Sequence, residues 1–320
     1  MRVRVGIDAS VDRRLLAGLP PEAEVVLAPE NLSAELEVDF WVPALRPAIV
    51  KRQWPYLRGV RVIQLPWAGV DTLIKFFPPA VTLCDARGVH DIPTAEWTLA
   101  AILAMQKSLP FFVEQQRRGH WALGQQARQI DHPEPTKIKD PPAPMKDIAE
   151  SRVLIVGYGS IGKAVEARLT PFGAKFLRVA RSAKPNVQPV EKLDQLLPQA
   201  DIVVITLPLT SETRHLFNAA RLAKMKPGAL LVNASRGPTV QTDALLQVLQ
   251  AGRIRAALDV TDPEPLPEGH PLWKAPNLLI TPHVAGDSER FMARAFTLVC
   301  EQVRRMVKGE PLLNVVTGEY

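Results

Sequence analysis

Short aliphatic runs recur at 3–7, 24–27, 39–42, 60–64 and 81–83, separated by turn-rich or polar stretches. Runs this short and this rich in Val, Ile and Leu read as β-strands, and their alternation with helical or turn-rich connections makes a parallel α/β layer. Pro93-Thr94-Ala95-Glu96 then opens an Ala- and Leu-rich stretch reaching about residue 118, which predicts one long helix. From Arg152 the alternation resumes, with apolar strands near 153–156, 176–180, 202–206, 229–233, 256–260 and 278–281 and helical stretches between them. Such spacing predicts a second doubly wound sheet with ligands at the carboxyl ends of its strands. A final amphipathic stretch, 288–307, sets Phe291, Ala295, Leu298, Val299 and Met306 on one face and is expected to pack back on the first layer. The fold class is therefore α/β with two doubly wound parallel-sheet domains, 1–93 plus 285–320 and 94–284.

Composition narrows the class. No apolar run approaches the roughly 20 residues of a membrane helix, and the opening MRVRVGIDAS alternates charge with aliphatic residues instead of forming a signal-peptide core. Cys84 and Cys300 stand far apart, outside any disulfide framework or metal-ligand spacing, which fits a reducing cytoplasm. The net charge of +6 comes from scattered basic residues with no run longer than two, so small anions are expected as partners and nucleic acid is not. The proline-rich 124–150 segment carries little apolar content and is expected on the surface. His90, His120, His132, His215 and His270 show no paired ligand spacing, so no metal is expected.

Gly157-Tyr158-Gly159-Ser160-Ile161-Gly162 follows a strand and opens a helix, the context a dinucleotide fingerprint requires. Gly157 permits the tight turn, Gly159 lets backbone amides reach a pyrophosphate, and Gly162 brings helix and strand together, with the helix N-terminus attracting phosphate charge. The same letters nearly spell a P-loop, but Ala164 replaces the hydroxyl that would ligate Mg²⁺; no G-x-S-x-G frame fits around Ser160 either. Arg181 lies 24 residues after Gly157 (181 − 157), where an NAD-selective fold presents a carboxylate to the ribose 2′-hydroxyl. A guanidinium there, with Ser182 beside it, suits a 2′-phosphate and predicts NADPH over NAD; the bland reading is a solvated arginine at a strand end.

Three further stretches, MKPGALLVNASRGPTVQTDALLQVLQAGRIRAALDV (225–260), PEPLPEGHPLWKAPNLLITPHVAG (263–286) and LPWAGVD (65–71), together resemble the D-isomer-specific 2-hydroxyacid dehydrogenases over about residues 38–310. The resemblance implies a flavodoxin-like substrate domain, a Rossmann dinucleotide-binding domain and a catalytic trio at Arg236, Glu264 and His283. It also implies a substrate loop at Trp67, Ala68 and Gly69, an adenosine wall at Leu207, Pro208 and Thr213, and Asp259 near the nicotinamide. In that trio a guanidinium can hold a 2-oxoacid carboxylate and polarise its carbonyl, an imidazole can protonate the alkoxide left by hydride transfer, and a carboxylate can keep the imidazole charged. Trp67 departs from the family pattern and either walls the pocket or fills a hydrophobic gap. The branch that looks most similar is the glyoxylate and hydroxypyruvate reductases, which implies an NADPH-preferring reductase and a homodimer. Phosphoglycerate or D-lactate dehydrogenase and a cofactor-sensing binding module are the alternatives.

Overall fold

A computed structural model describes residues 2–119 and 145–318 of the chain. The chain divides into two compact units, Met1–Asp91 with Gly286–Tyr320, and Ile92–Ala285. His120, His132 and most of the proline-rich segment lie outside the described residues.

In the first unit the strands are β1 (Val3–Asp8), β2 (Ala23–Ala28), β3 (Leu36–Glu37), β4 (Phe40–Val42), β5 (Leu57–Arg58), β6 (Val62–Gln64) and β7 (Thr82–Cys84), with α1 (Pro47–Gln53) after β4. Five of them form a parallel sheet in the order β2-β1-β4-β6-β7, the flavodoxin-like order, while β3 and β5 pair separately. Val3, Val5 and Ile7 of β1 share a core with Phe296, Val299 and Val303 of the C-terminal helix, Phe291–Lys308. The expected amphipathic stretch is thus one helix. Its stripe is wider than expected: Ala295 sits with Phe291 and Leu298 in a smaller cluster beside the main one.

The second unit begins with α2 (Asp91–Gln106, its first residue on the boundary) and α3 (Leu109–Arg117). Its strands β8 (Arg152–Val156), β9 (Lys175–Ala180), β10 (Gln188–Pro189), β11 (Ile202–Ile205), β12 (Leu230–Asn233), β13 (Arg255–Leu258) and β14 (Leu278–Ile280) alternate with α4 (Ser160–Leu169), α5 (Leu193–Leu196), α6 (Ala219–Lys224) and α7 (Thr242–Gln250). All are parallel, in the order β10-β9-β8-β11-β12-β13-β14, so the order reverses between β8 and β11. The unbroken apolar runs follow from burial on both faces. Val153, Ile155, Ile202 and Val204 enter one core, and Leu154, Val156, Val203 and Ile205 enter the other. At roughly 1.5–3 kcal/mol per fully buried aliphatic side chain, these central strands anchor the unit.

Two expectations fail for identifiable reasons. The single helix expected over 94–118 is broken, with Ser108 in the left-handed region at φ 53°. In a continuous helix the Pro110 ring would strike the carbonyl of residue 106. That carbonyl is taken instead by the Lys146 amide, while the buried Arg255 guanidinium binds Met105 O and Gln106 Oε1 and so caps α2. Nor is the whole proline-rich segment surface: at its described end Ile148 is 4% exposed and joins the core under β8. Thr206, Asp259 and Thr281, expected inside strands, lie just past them, where their polar side chains serve the loops of the site.

Candidate active site

The glycine turn lies at the carboxyl end of β8, beside the strand-order reversal. Gly157 has φ 103°, and a Cβ on it would come within 2.5 Å of Thr206 O. A Cβ on Gly162 would meet Gly157 O at 2.7 Å. Both glycines are therefore required by the protein's own packing. Gly159 is different, because a Cβ there would meet nothing within 4 Å. Its bareness leaves open backbone at the N-terminus of α4, where the first-turn amides of Ser160 and Ile161 have no upstream acceptor and the helix dipole favours an anion. A dinucleotide pyrophosphate fits that donor set.

Arg181 and Ser182 leave β9 on the exposed surface, next to the turn. Across from them Glu212 places Oε2 3.8 Å from Arg181 Nε, on a loop closed by its own hydroxyls. Thr213 Oγ1 donates to Pro208 O at 2.7 Å and accepts from the Thr210 amide at 2.8 Å, so the Thr213 hydroxyl shapes the loop. Leu207 packs against the core.

Arg236, Glu264 and His283 come from the carboxyl ends of the neighbouring strands β12, β13 and β14. Asn233 ends β12 by folding its amide over the next turn: Oδ1 accepts from the Ser235 amide and hydroxyl, and Nδ2 donates to Arg236 O. The chain then passes so close to the exit of β13 that a Cβ on Gly237 would sit 1.8 Å from Thr261 O. Arg236 is delivered by this crowded turn, with Nη1 donating to Ser235 O at 2.7 Å. His283 has φ 55°, a conformation costing on the order of 1–3 kcal/mol that persists where its surroundings over-determine it. Asp259 supplies that constraint. Its carbonyl accepts the His283 amide at 2.7 Å, and its 2%-exposed carboxylate accepts Thr281 Oγ1, Val284 N and Ala285 N at 2.6, 2.9 and 2.8 Å. The donors to the Asp259 carboxylate thus stand on both flanks of His283.

His283 Nδ1 lies 2.5 Å from Glu264 Oε1, and both side chains are half-exposed. Glu264 holds the His283 pKa above the ordinary imidazole value, against the opposing effects of burial and of the Arg236 charge. The trio therefore sets a cation near an imidazole whose charged form the Glu264 carboxylate favours. The supporting Asn233, Asp259 and Thr281 were missed as braces by sequence reasoning, although a polar residue closing an apolar strand run was the available signal.

In the first unit Trp67 Nε1 donates to Gly69 O at 2.6 Å across the Trp67-Ala68-Gly69 turn, and its ring packs on the core below. Of the other described histidines, His90 stacks on Phe291 and His270 caps the turn at Leu272.

Residues 99–285 match the model of the D-isomer specific 2-hydroxyacid dehydrogenase NAD binding domain, more than half of the chain. The chain belongs to this family. It is an NAD(P)-dependent 2-hydroxyacid dehydrogenase, and its nicotinamide-binding unit carries the trio just described. Among similar proteins, the glycerate dehydrogenase of Methylorubrum extorquens is 32% identical over 323 residues, 98% of this chain and 96% of that one. The glyoxylate reductase of Thermofilum pendens is 37% identical over 231 residues, 70% of this chain and 64% of its own. A crystal structure of the NADPH-dependent glyoxylate/hydroxypyruvate reductase from Sinorhizobium meliloti, in complex with NADP and sulfate, superposes with a TM-score of 0.80 at 26% identity, covering 100% of both chains. Among the described residues, no helix is long and apolar enough to cross a membrane.

Proposed function

We propose that this dehydrogenase is an NADPH-preferring reductase of small 2-oxoacids of the glyoxylate/hydroxypyruvate type, yielding D-2-hydroxy acids. The observation that carries the reading is a row of groups along one sheet edge: Arg181 after β9, the open Gly159 turn after β8, Arg236 after β12, and the Glu264–His283 contact beyond β13 and β14. Gly157, Gly159, Ser160, Ile161 and Gly162 would hold the pyrophosphate, Arg181 and Ser182 the 2′-phosphate, and Leu207 and Pro208 the adenosine side. When bound, the nicotinamide supplies the hydride. Arg236 binds the substrate carboxylate and polarises the adjacent carbonyl, and His283 gives its proton to the developing alkoxide oxygen. Glu264 keeps that imidazole charged and oriented. The relatives from Thermofilum pendens and Sinorhizobium meliloti support the choice of small oxoacids, and the latter also supports NADPH.

The test is a screen of 2-oxoacids for loss of NADPH absorbance. Bound NADPH that no oxoacid oxidises would mark the protein as a cofactor sensor instead. For the cofactor, Arg181→Asp should cut the ratio of kcat/KM for NADPH to that for NADH by about 10- to 100-fold, the worth of a charge-assisted hydrogen bond. An unchanged ratio refutes the role given to Arg181.

The same reading includes a homodimer. None of the residues of α3 is buried, and Leu109 and Val113 are 49% and 43% exposed. Such an apolar helix face suits a second copy of the chain. Sedimentation of the Leu109→Glu, Val113→Glu double variant is expected to show a 35.3 kDa species where the parent shows twice that mass. A parent that already sediments as 35.3 kDa at micromolar concentration rules the dimer out.

A further inference from the structure

Two of the residues bounding Tyr158 are glycines, which confer the widest backbone freedom on a turn that must hold one shape to receive a phosphate. Bonds to its main chain fix part of it: the Gly157 and Tyr158 amides donate to Val179 O at 2.9 and 3.1 Å, the Gly159 amide donates to Gly157 O at 2.8 Å, and the Thr206 hydroxyl donates to Gly157 O at 2.7 Å. A further tie is made by the Tyr158 side chain. On β9, Arg178 grips Glu166 of α4 through two parallel hydrogen bonds, Nε to Oε2 and Nη2 to Oε1, both 2.6 Å. This fork is largely shielded, the two side chains being 23% and 18% exposed. The guanidinium carbon lies 5.6 Å from the Tyr158 ring centroid and 5.7 Å from that of Phe176. Burial and the nearby Glu166 carboxylate push the Tyr158 phenol pKa up, against the Arg178 charge. Three segments thus meet at one cation: the glycine turn, the helix that follows it and the strand that ends one residue before Arg181.

We propose that Tyr158, Glu166 and Arg178 form a clamp that presets the glycine turn for the pyrophosphate, making Tyr158 a positioning residue for the dinucleotide. The proposal rests on the nicotinamide-dinucleotide reading of this site and is independent of the preference for NADPH. A turn ordered before binding forfeits less affinity to immobilisation than one ordered by the ligand. Because NADPH and NADH share the pyrophosphate, the clamp should affect both alike.

The experiment is calorimetric titration of NADPH and of NADH into the parent, Tyr158→Ala, Tyr158→Phe and Glu166→Gln, with initial rates at saturating cofactor and melting temperatures of each. Tyr158→Ala should raise both Kd values by about 5- to 30-fold, the worth of a partly desolvated cation–π contact, with kcat nearly unchanged. Tyr158→Phe keeps the ring over Arg178 and should recover most of that affinity. Glu166→Gln, which unpairs the guanidinium, should weaken both cofactors in the same proportion. A lower melting temperature with unchanged Kd values would show that the cluster only packs, and weakening of NADPH alone would place its effect away from the pyrophosphate; either result overturns the clamp. A parent that binds the two cofactors equally, while Tyr158→Ala weakens both, removes the NADPH preference and leaves the clamp standing.

Discussion

Replacing His283 by glutamine should lower kcat for 2-oxoacid reduction by about 10²- to 10⁴-fold, the usual contribution of a positioned general acid, with little change in cofactor affinity. The reason is specific to the contact at 2.5 Å between His283 and Glu264, which favours the imidazolium that is assigned the proton transfer. Its pH dependence follows from the same contact. Glu264 raises the His283 pKa from 6.5, with Arg236 and burial opposing. The imidazolium is therefore retained on the acid side, and reduction declines as pH rises through the raised value. Oxidation of the hydroxy acid needs the neutral imidazole and should gain over the same interval. Glu264→Gln removes the anion, so the reductive limb should move to lower pH. Profiles of kcat against pH at saturating cofactor decide the matter; a limb that stays in place, or a His283→Gln enzyme with parental kcat, would end the assignment.

Arg236→Gln is expected to reduce kcat/KM for a 2-oxoacid by about 10²- to 10³-fold, in line with removal of a preorganised charge from a developing oxyanion. Because the guanidinium is assigned to the substrate's carboxylate as well as its carbonyl, the loss should be much smaller for the neutral methyl ester of the same acid. Equal losses on acid and ester would mean that Arg236 serves the architecture and not the anion. The turn that delivers it leaves little room for error, since a Cβ on Gly237 would overlap Thr261 O. Added guanidinium ion should partly restore the variant's rate on the acid if the turn is intact.

The chain's pattern of apolar runs determined the α/β class and placed the central strands, because a strand buried on both faces must be apolar along its whole length and so stands out against turn-rich surroundings. The glycine spacing was equally plain as a motif, although the contact that requires Gly157 lies at Thr206, past the spatially adjacent strand β11. Pairs of two residues such as β3 with β5, and the edge strand β10, left no period to read. The break between α2 and α3 turned on a carbonyl claimed by Lys146 and on Arg255, 149 residues beyond Gln106, together with a proline whose effect depends on the helix it would interrupt.

For the site, the family resemblance pointed to Arg236, Glu264 and His283 one motif at a time. Their meeting is a property of the strand order: β12, β13 and β14 lie side by side, and parallel pairing sends all three chain exits to the same edge. What Asp259 does with its carboxylate, and why His283 tolerates φ 55°, was decided only in three dimensions, because burying a charge obliges it to find donors and the nearest were the Thr281 hydroxyl and the amides of Val284 and Ala285. The sequence alone determined which groups the enzyme owns; tertiary structure determined which of them face each other, since hydrophobic periodicity specifies elements locally while register, burial and hydrogen-bond demand couple positions far apart in the chain.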